Sequence, residues 1–278
     1  MPNLLLERTE ARPNQRQEAS AGVHSAKQRA AVLRWTRGLT GLALLALVWE
    51  VVPRLGLVDP YFVPPLSTVV GAWWELATTG QLWTHVQASL VRSGVGFVLA
   101  LALAIPLGAV IAWYSPVREL LTPVLEIFRN TAALAILPVF VLLLGIGETS
   151  KIAIVVFACF FPVLLSTIAG VGSVDVQLLR AARVLGMSPV TTFRKVVFPA
   201  AVPTIFTGIR IAGAAAILVL IAAEMIGATA GLGYLINYSQ YNFLIPQMYA
   251  GILTTALIGL AVNFGLVAIE RRLSRWRA

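Results

Sequence analysis

Long apolar runs alternate with short polar breaks along most of the chain. The runs fall at about 35–52, 89–114, 131–146, 152–172, 204–228 and 246–269. A helix needs about 20 apolar residues to cross a hydrocarbon layer of about 30 Å, and the spacing predicts six spans, the first and third of them short. Pro106, Pro138 and Pro162 lie inside the second, third and fourth runs, where a proline frees a carbonyl and can kink the helix. Residues 1–34 are polar and mixed in charge and read as a disordered tail; residues 35–278 form the membrane domain. Between the first two runs, Pro64-Pro65 break the chain and Ser67 is placed to cap a helix. Val69, Val70, Trp73 and Trp74 would give that helix an apolar stripe at the membrane surface; a plain loop with interfacial tryptophans is the other reading. Residues 145–151 are expected to be a short outer turn, and the Gly- and Tyr-rich stretch 229–245 another connection.

One break differs from the rest. Residues 173–203 are polar and basic and carry two short helices. Ser173 or Asp175 can cap the first, and Leu178, Ala181, Ala182 and Leu185 follow the i, i+3, i+4, i+7 pattern of an apolar face. Gly186 stands where a helix ends in a left-handed residue. Ser188-Pro189 starts a second helix, which Pro199 and Pro203 are expected to close. Arg180, Arg183, Arg194 and Lys195 make the hairpin basic. An ordinary loop and a DNA-binding helix–turn–helix compete with a docking hairpin, but tethering at both ends to apolar runs counts against the second.

Composition fits a membrane protein: 58% of the 278 residues are hydrophobic and 12% charged, against about 25% charged in soluble domains. The single cysteine, Cys159, has no partner for an intrachain disulfide, and with His24 and His85 far apart there is no plausible metal site. The net charge of +9 comes from a sided distribution. Arg8, Arg12, Arg16, Lys27, Arg29, Arg34 and Arg37 precede the first span or open it. Arg118, Arg129, the four hairpin cations, and Arg271, Arg272, Arg275 and Arg277 fall on the same side. Arg54, Arg92 and Lys151 fall on the other. The bias places both termini and the hairpin in the cytoplasm and explains the charge without nucleic acid.

No phosphate loop is written here, because Lys27, Lys151 and Lys195 never follow glycine. There is no H-E-x-x-H or G-x-S-x-G either. The chain is therefore expected to be non-catalytic. Glu224, near the outer end of the fifth span, is the sharpest single residue. A carboxylate at membrane depth faces a cavity or a partner, and Arg92 should lie at a similar depth; a water-exposed interfacial Glu is the alternative. Together they are candidates for the translocation path or for an intramembrane pair. Arg210 is expected to snorkel to the inner surface. Gly227 and Gly231 form a G-x-x-x-G that serves either helix packing or a turn.

The string Arg180-Ala181-Ala182-x-x-x-Gly186, nine residues, then Val196-x-Phe198-Pro199 resembles the EAA loop of ABC importer permeases. Arg180 stands where that family usually has Glu. G-I-G-E-T-S-K (145–151) and A-E-M-I-G-A-T-A-G-L-G-Y-L-I (223–236) resemble its nitrate/sulfonate/taurine branch. The resemblance implies an all-α membrane protein of six transmembrane helices with a cytoplasmic coupling-helix hairpin, the type I ABC importer permease fold. It further implies a homodimer in the bacterial plasma membrane, surrounded by membrane lipid, with two ATP-binding subunits that hold ATP and Mg. A periplasmic or lipid-anchored substrate-binding protein would deliver a small anionic solute. Arg180, Ala181, Ala182, Arg183, Gly186 and Pro199 would form the ATPase-coupling hairpin. A secondary transporter or channel without an ATPase is the alternative.

Overall fold

The structure is a computed structural model describing residues 40–273. The expected tail over 1–34 lies outside them, as does the start of the expected first span. The chain divides into two compact units, Met1–Ser67 and Thr68–Ala278.

The described part of the first unit contains helix α1 over 40–54. Trp49 donates its indole N–H to the Pro64 carbonyl at 3.2 Å. Helix α2, Leu66–Thr78, begins one residue before the expected cap. Ser67 sits in its first turn, where backbone N–H groups lack partners within the helix. Its N–H and hydroxyl instead donate to Glu50, each at 2.9 Å, and Arg54 pairs with the same carboxylate.

The second unit is all helix among the described residues. Its elements are α3 (Gln81–Trp113), α4 (Ser115–Arg129), α5 (Ala133–Leu144), α6 (Glu148–Gly172), α7 (Val176–Val184), α8 (Pro189–Thr192), a π-turn (Phe193–Val197), α9 (Phe198–Glu224), α10 (Leu232–Tyr241) and α11 (Ile245–Leu273). Helix α6 packs along both α3 and α9. Lipid is as apolar as leucine, so close backbone approach has to hold membrane helices together. The seams accordingly use small residues: Ala100 and Ala104 of α3, Cys159 of α6, and Ala212 and Ala216 of α9 are all buried. A Cβ on Gly108 would stand 2.8 Å from the Thr167 Cβ, and one on Gly208 only 2.4 Å from the Ser166 Cβ. Large apolar side chains such as Leu103, Leu218 and Phe264 point outward, the arrangement a lipid solvent favours.

Four helices among the described residues are long and apolar enough to cross a bilayer: Gln81–Trp113, Glu148–Gly172, Pro189–Glu224 and Ile245–Arg272. The sixfold expectation is corrected at the third span. There α5 has 12 residues, about 18 Å at 1.5 Å per residue, and it meets α4 at 93°; the bent pair makes a fifth span only if counted as one. The break has a local cause. Asn130 Nδ2 donates to the Glu126 carbonyl at 2.8 Å and Thr131 Oγ to that of Ile127 at 3.0 Å, so side chains satisfy the last carbonyls of α4 and end it. Elsewhere α6 opens at Glu148, inside the expected outer turn, and the stretch after α9 folds into α10. On α2 the expected stripe splits. Val69 is buried and Trp73 donates to Thr254 Oγ at 3.1 Å, whereas Val70 and Trp74 are exposed.

Pro199 and Pro203 do not close the second hairpin helix. Pro199 lies in the first turn of α9 and Pro203 within it. A proline removes one i→i−4 bond, and the chain accommodates the pair by widening one turn. The Phe198 N–H reaches back five residues to Phe193, and helix continues on both sides. Gly208→Val should force α6 and α9 apart at a cost of about 1–3 kcal/mol. The check is the thermal midpoint and monodispersity of the purified full chain beside Leu218→Ala, which changes only an outward-facing residue.

Candidate functional site

Arg92 and Ser89 lie one turn apart on α3, and Glu224 ends α9. The Arg92 guanidinium forks between two carboxylates. One terminal N–H donates to Glu224 at 2.7 Å and also to the Ala230 carbonyl at 2.6 Å. Nε and the other terminal nitrogen meet the two oxygens of Glu148 at 2.5 and 2.6 Å. This bidentate geometry suits a planar guanidinium. Glu224 also accepts from the Ser89 hydroxyl at 2.7 Å and from the Gly233 N–H at 3.0 Å. Ser89 Oγ in turn accepts from the Leu232 N–H at 2.9 Å. Residues 232 and 233 open α10, so the carboxylate and hydroxyl occupy the electropositive end of that helix.

Glu224 is 1% exposed and Arg92 4%, which removes the reading of Glu224 as a water-facing interfacial residue. The side chain of Glu148 is 62% exposed, so the cluster reaches the surface at one edge. Lys151, 3% exposed, donates to the carbonyls of Gly147 at 3.1 Å and Gly227 at 3.4 Å. The Gly231 N–H donates to His85 Nδ1 at 3.2 Å. Gly227 and Gly231 both have positive φ, +63° and +127°, and lie in the α9–α10 connection, so their spacing serves a turn and not helix packing. A Cβ on Gly231 would stand 2.3 Å from the Glu224 Cδ; nothing larger leaves room for the carboxylate. Sequence reasoning singled out Arg92 and Glu224 but gave no role to Glu148, Ser89 and His85. For Glu148 the signal was the string 145–151, which also supplies Lys151; Ser89 and His85 carried none.

Among the described residues no group of three or more His, Cys, Asp or Glu could hold a metal ion. Ser89 is engaged on both sides and Glu224 accepts from three donors, the Ser89 hydroxyl, Arg92 and the Gly233 N–H. The arrangement fastens α3, α6, α9 and the start of α10 together and offers no reactive group. Arg210 lies apart, its side chain 40% exposed and paired with Glu270 at 3.3 Å.

The hairpin is built as a second exposed feature. Asp175 caps α7, accepting from the Gln177 N–H at 2.8 Å; Ser173 instead ends α6. The C-terminus is a Schellman turn: Met187 N–H donates to Ala182 O at 3.1 Å and Gly186 N–H to Arg183 O at 3.0 Å, with Gly186 at φ +67°. Ser188 then accepts from the Thr191 N–H at 3.3 Å, with Pro189 in the first turn of α8. The expected apolar face is not the buried one. Ala182 is buried and Leu179 packs on the core, whereas Leu178 and Ala181 face outward and Leu185 is 77% exposed. Arg180, Arg183 and Gly186 are exposed as well, and Pro199 is half-buried.

Residues 104–275 match the family described as "Binding-protein-dependent transport system inner membrane component". The chain is 38% identical over 248 residues to the taurine transport system permease protein TauC of Escherichia coli (strain K12), covering 87% of this chain and 90% of that one. It is 36% identical, over 87% of this chain and 88% of the relative, to SsuC of Bacillus subtilis (strain 168), named for aliphatic sulfonates transport. In fold it resembles a chain of the inward-facing MetNI methionine ABC transporter, with TM-score 0.60, 18% identity, and 69% and 95% of the two chains covered. This chain belongs to the binding-protein-dependent inner-membrane components: it is a non-catalytic, multi-pass permease subunit of an ABC importer.

Arg92→Met leaves Glu224 buried without its cation and should cost about 3–5 kcal/mol. Combining Arg92→Met with Glu224→Gln should recover part of that loss. Thermal unfolding of both single variants and the double variant checks both statements; a double-variant loss equal to the sum of the single losses would show that the pair is not coupled.

Proposed function

We propose that this permease works as a homodimer, moves a small organic anion into the cell, and is driven through its hairpin by two ATP-binding subunits. The single observation that carries the reading is the hairpin surface. Val184, Leu185 and Val190 are 88%, 77% and 69% exposed, and Arg180, Arg183, Arg194 and Lys195 are exposed around them. Apolar side chains ringed by cations suit a protein groove with an acidic rim. The sided distribution of basic residues supports a cytoplasmic hairpin and cytoplasmic termini in a bacterial inner membrane, with outward-facing apolar side chains against lipid. A binding protein would deliver the solute to the opposite face. TauC is named for taurine, an aminosulfonate, and SsuC for aliphatic sulfonates; both names support a sulfonate-like anion.

In this mechanism ATP binding draws the two ATP-binding subunits together and the hairpins move with them. The energy enters as a difference in contact between two states; a partner that bound both equally would shift nothing. Arg180, Ala181, Ala182, Arg183, Gly186 and Pro199 are the coupling set. Within it Ala182 and Gly186 fix the shape of the elbow, and the arginines supply charge.

Gly186→Val places a branched side chain at positive φ, where the space is open but the backbone is strained by about 1–3 kcal/mol. It should leave the protein in the membrane and abolish substrate-stimulated ATP hydrolysis by the reconstituted complex, with Gly186→Asn milder. Unchanged stimulation in Gly186→Val refutes the coupling role. Uptake by this chain alone on an ion gradient would favour a secondary transporter. Val184→Cys should react with a membrane-impermeant thiol reagent only from the cytoplasmic side.

A further inference from the structure

Two grooves on the second unit, of 430 and 530 Å³, meet at Arg129, Leu165 and Ser166. Their wall is one face of α6. Phe157, Phe161, Leu165 and Ala169 are spaced by four and run from the middle of the helix toward its C-terminal end. The end of α4 comes up beside this wall. Phe128 stacks on Phe161 with ring centroids 5.4 Å apart and planes at 8°, and meets Phe157 edge-on at 6.4 Å. Phe157 and Phe161 lie 9 and 13 residues into α6, roughly 14–20 Å from its start. Arg129 itself lines the grooves beside Leu165, Ser166 and Ala169, 17–21 residues into the 25-residue α6, so its side chain lies within the span, in the half nearer the hairpin. The sequence pattern puts it in a connection at the inner surface.

A cation at that depth lines a cavity or meets a partner. Its contact on this chain is Glu126, one turn back on the same helix at 3.3 Å, with both side chains about half exposed. Such a pair is weak, and it engages one of the five donors of a guanidinium. The other charge lining the grooves is Glu270, in the larger one, where it pairs with Arg210 at 3.3 Å. The smaller groove thus offers a guanidinium and the Ser166 hydroxyl beside phenyl rings, within the size range of small-ligand sites.

We propose that Arg129, with Ser166 and the rings of Phe157 and Phe161, is a recognition point on the transport path for a sulfonate with a short alkyl or aryl body. The guanidinium and hydroxyl hold the anionic head, and the rings take the apolar body. This rests on the reading of the chain as an organic-anion permease and adds a site within the membrane chain itself.

The test uses the purified full chain in lipid nanodiscs, with butanesulfonate and methanesulfonate as probes and neutral butanesulfonamide as the uncharged control. Butanesulfonate should bind and the sulfonamide should not. Arg129→Gln should weaken butanesulfonate binding on the order of tenfold or more, as expected for a lost charged hydrogen bond, and Arg129→Lys should weaken it less. Phe161→Ala should weaken butanesulfonate more than methanesulfonate. The thermal midpoint without ligand should be unchanged in the two Arg129 variants. Equal binding of butanesulfonate by wild type and Arg129→Gln, or no sulfonate binding at all, overturns the proposal; a groove filled by lipid or a second copy would give that result. ATP-driven butanesulfonate uptake by the whole complex separates the two levels. Normal uptake with Arg129→Gln sinks this site and leaves the permease reading intact, whereas no sulfonate uptake by wild type sinks the substrate reading.

Discussion

A buried guanidinium held between two carboxylates is the constraint on which the rest of the unit depends. Arg92 reaches from α3 to the first residue of α6, the last residue of α9 and the backbone before α10. Burying a charge is costly unless it is paired and hydrogen-bonded. Every element in the cluster is therefore obliged to be where the pairing needs it. That obligation fixes where α9 ends, why a glycine precedes α10, and why the carboxylate of Glu224 can serve as the cap that α10 lacks in its own sequence.

Away from the cluster, ordinary lipid-phase packing takes over. Helix α6 meets α3 and α9 through glycine, alanine and cysteine, with bulkier side chains turned outward. The two regimes complement each other. Small-residue seams set distance but tolerate sliding, whereas the charged cluster tolerates almost none, because a shift of an ångström breaks several bonds at once.

Much of this was legible in the chain. Apolar run length located α3, α6, α9 and α11, whose interiors are almost free of charge. Cap chemistry located the hairpin, because Asp175, Gly186 and Ser188-Pro189 act within a few residues of themselves. The misreadings have two causes: local bonds that leave no glycine or cap signal in the sequence, and contacts from distant elements. The break between α4 and α5 carries no glycine, and only Asn130 and Thr131 turning back on their own helix end it. Pro199 and Pro203 look like stop signals until the π-turn is seen to absorb the missing bond. Leu178 and Leu185 look like core, although the neighbouring helices meet Leu179 and Ala182. Glu148 carries no mark of its partner 56 residues away.

The widened turn at Phe193–Val197 has a mechanical meaning. Because helix runs on through it, Pro189 to Glu224 is a single rod of 36 residues, on the order of 50 Å long. One tip lies in the solvent-facing elbow and the other is clamped by Arg92. Such a rod cannot be bent cheaply at its middle, so a displacement applied to the elbow must reappear at the far tip as tilt or twist about the seam with α6. The extra residue in that one turn is where such a twist would be absorbed or released.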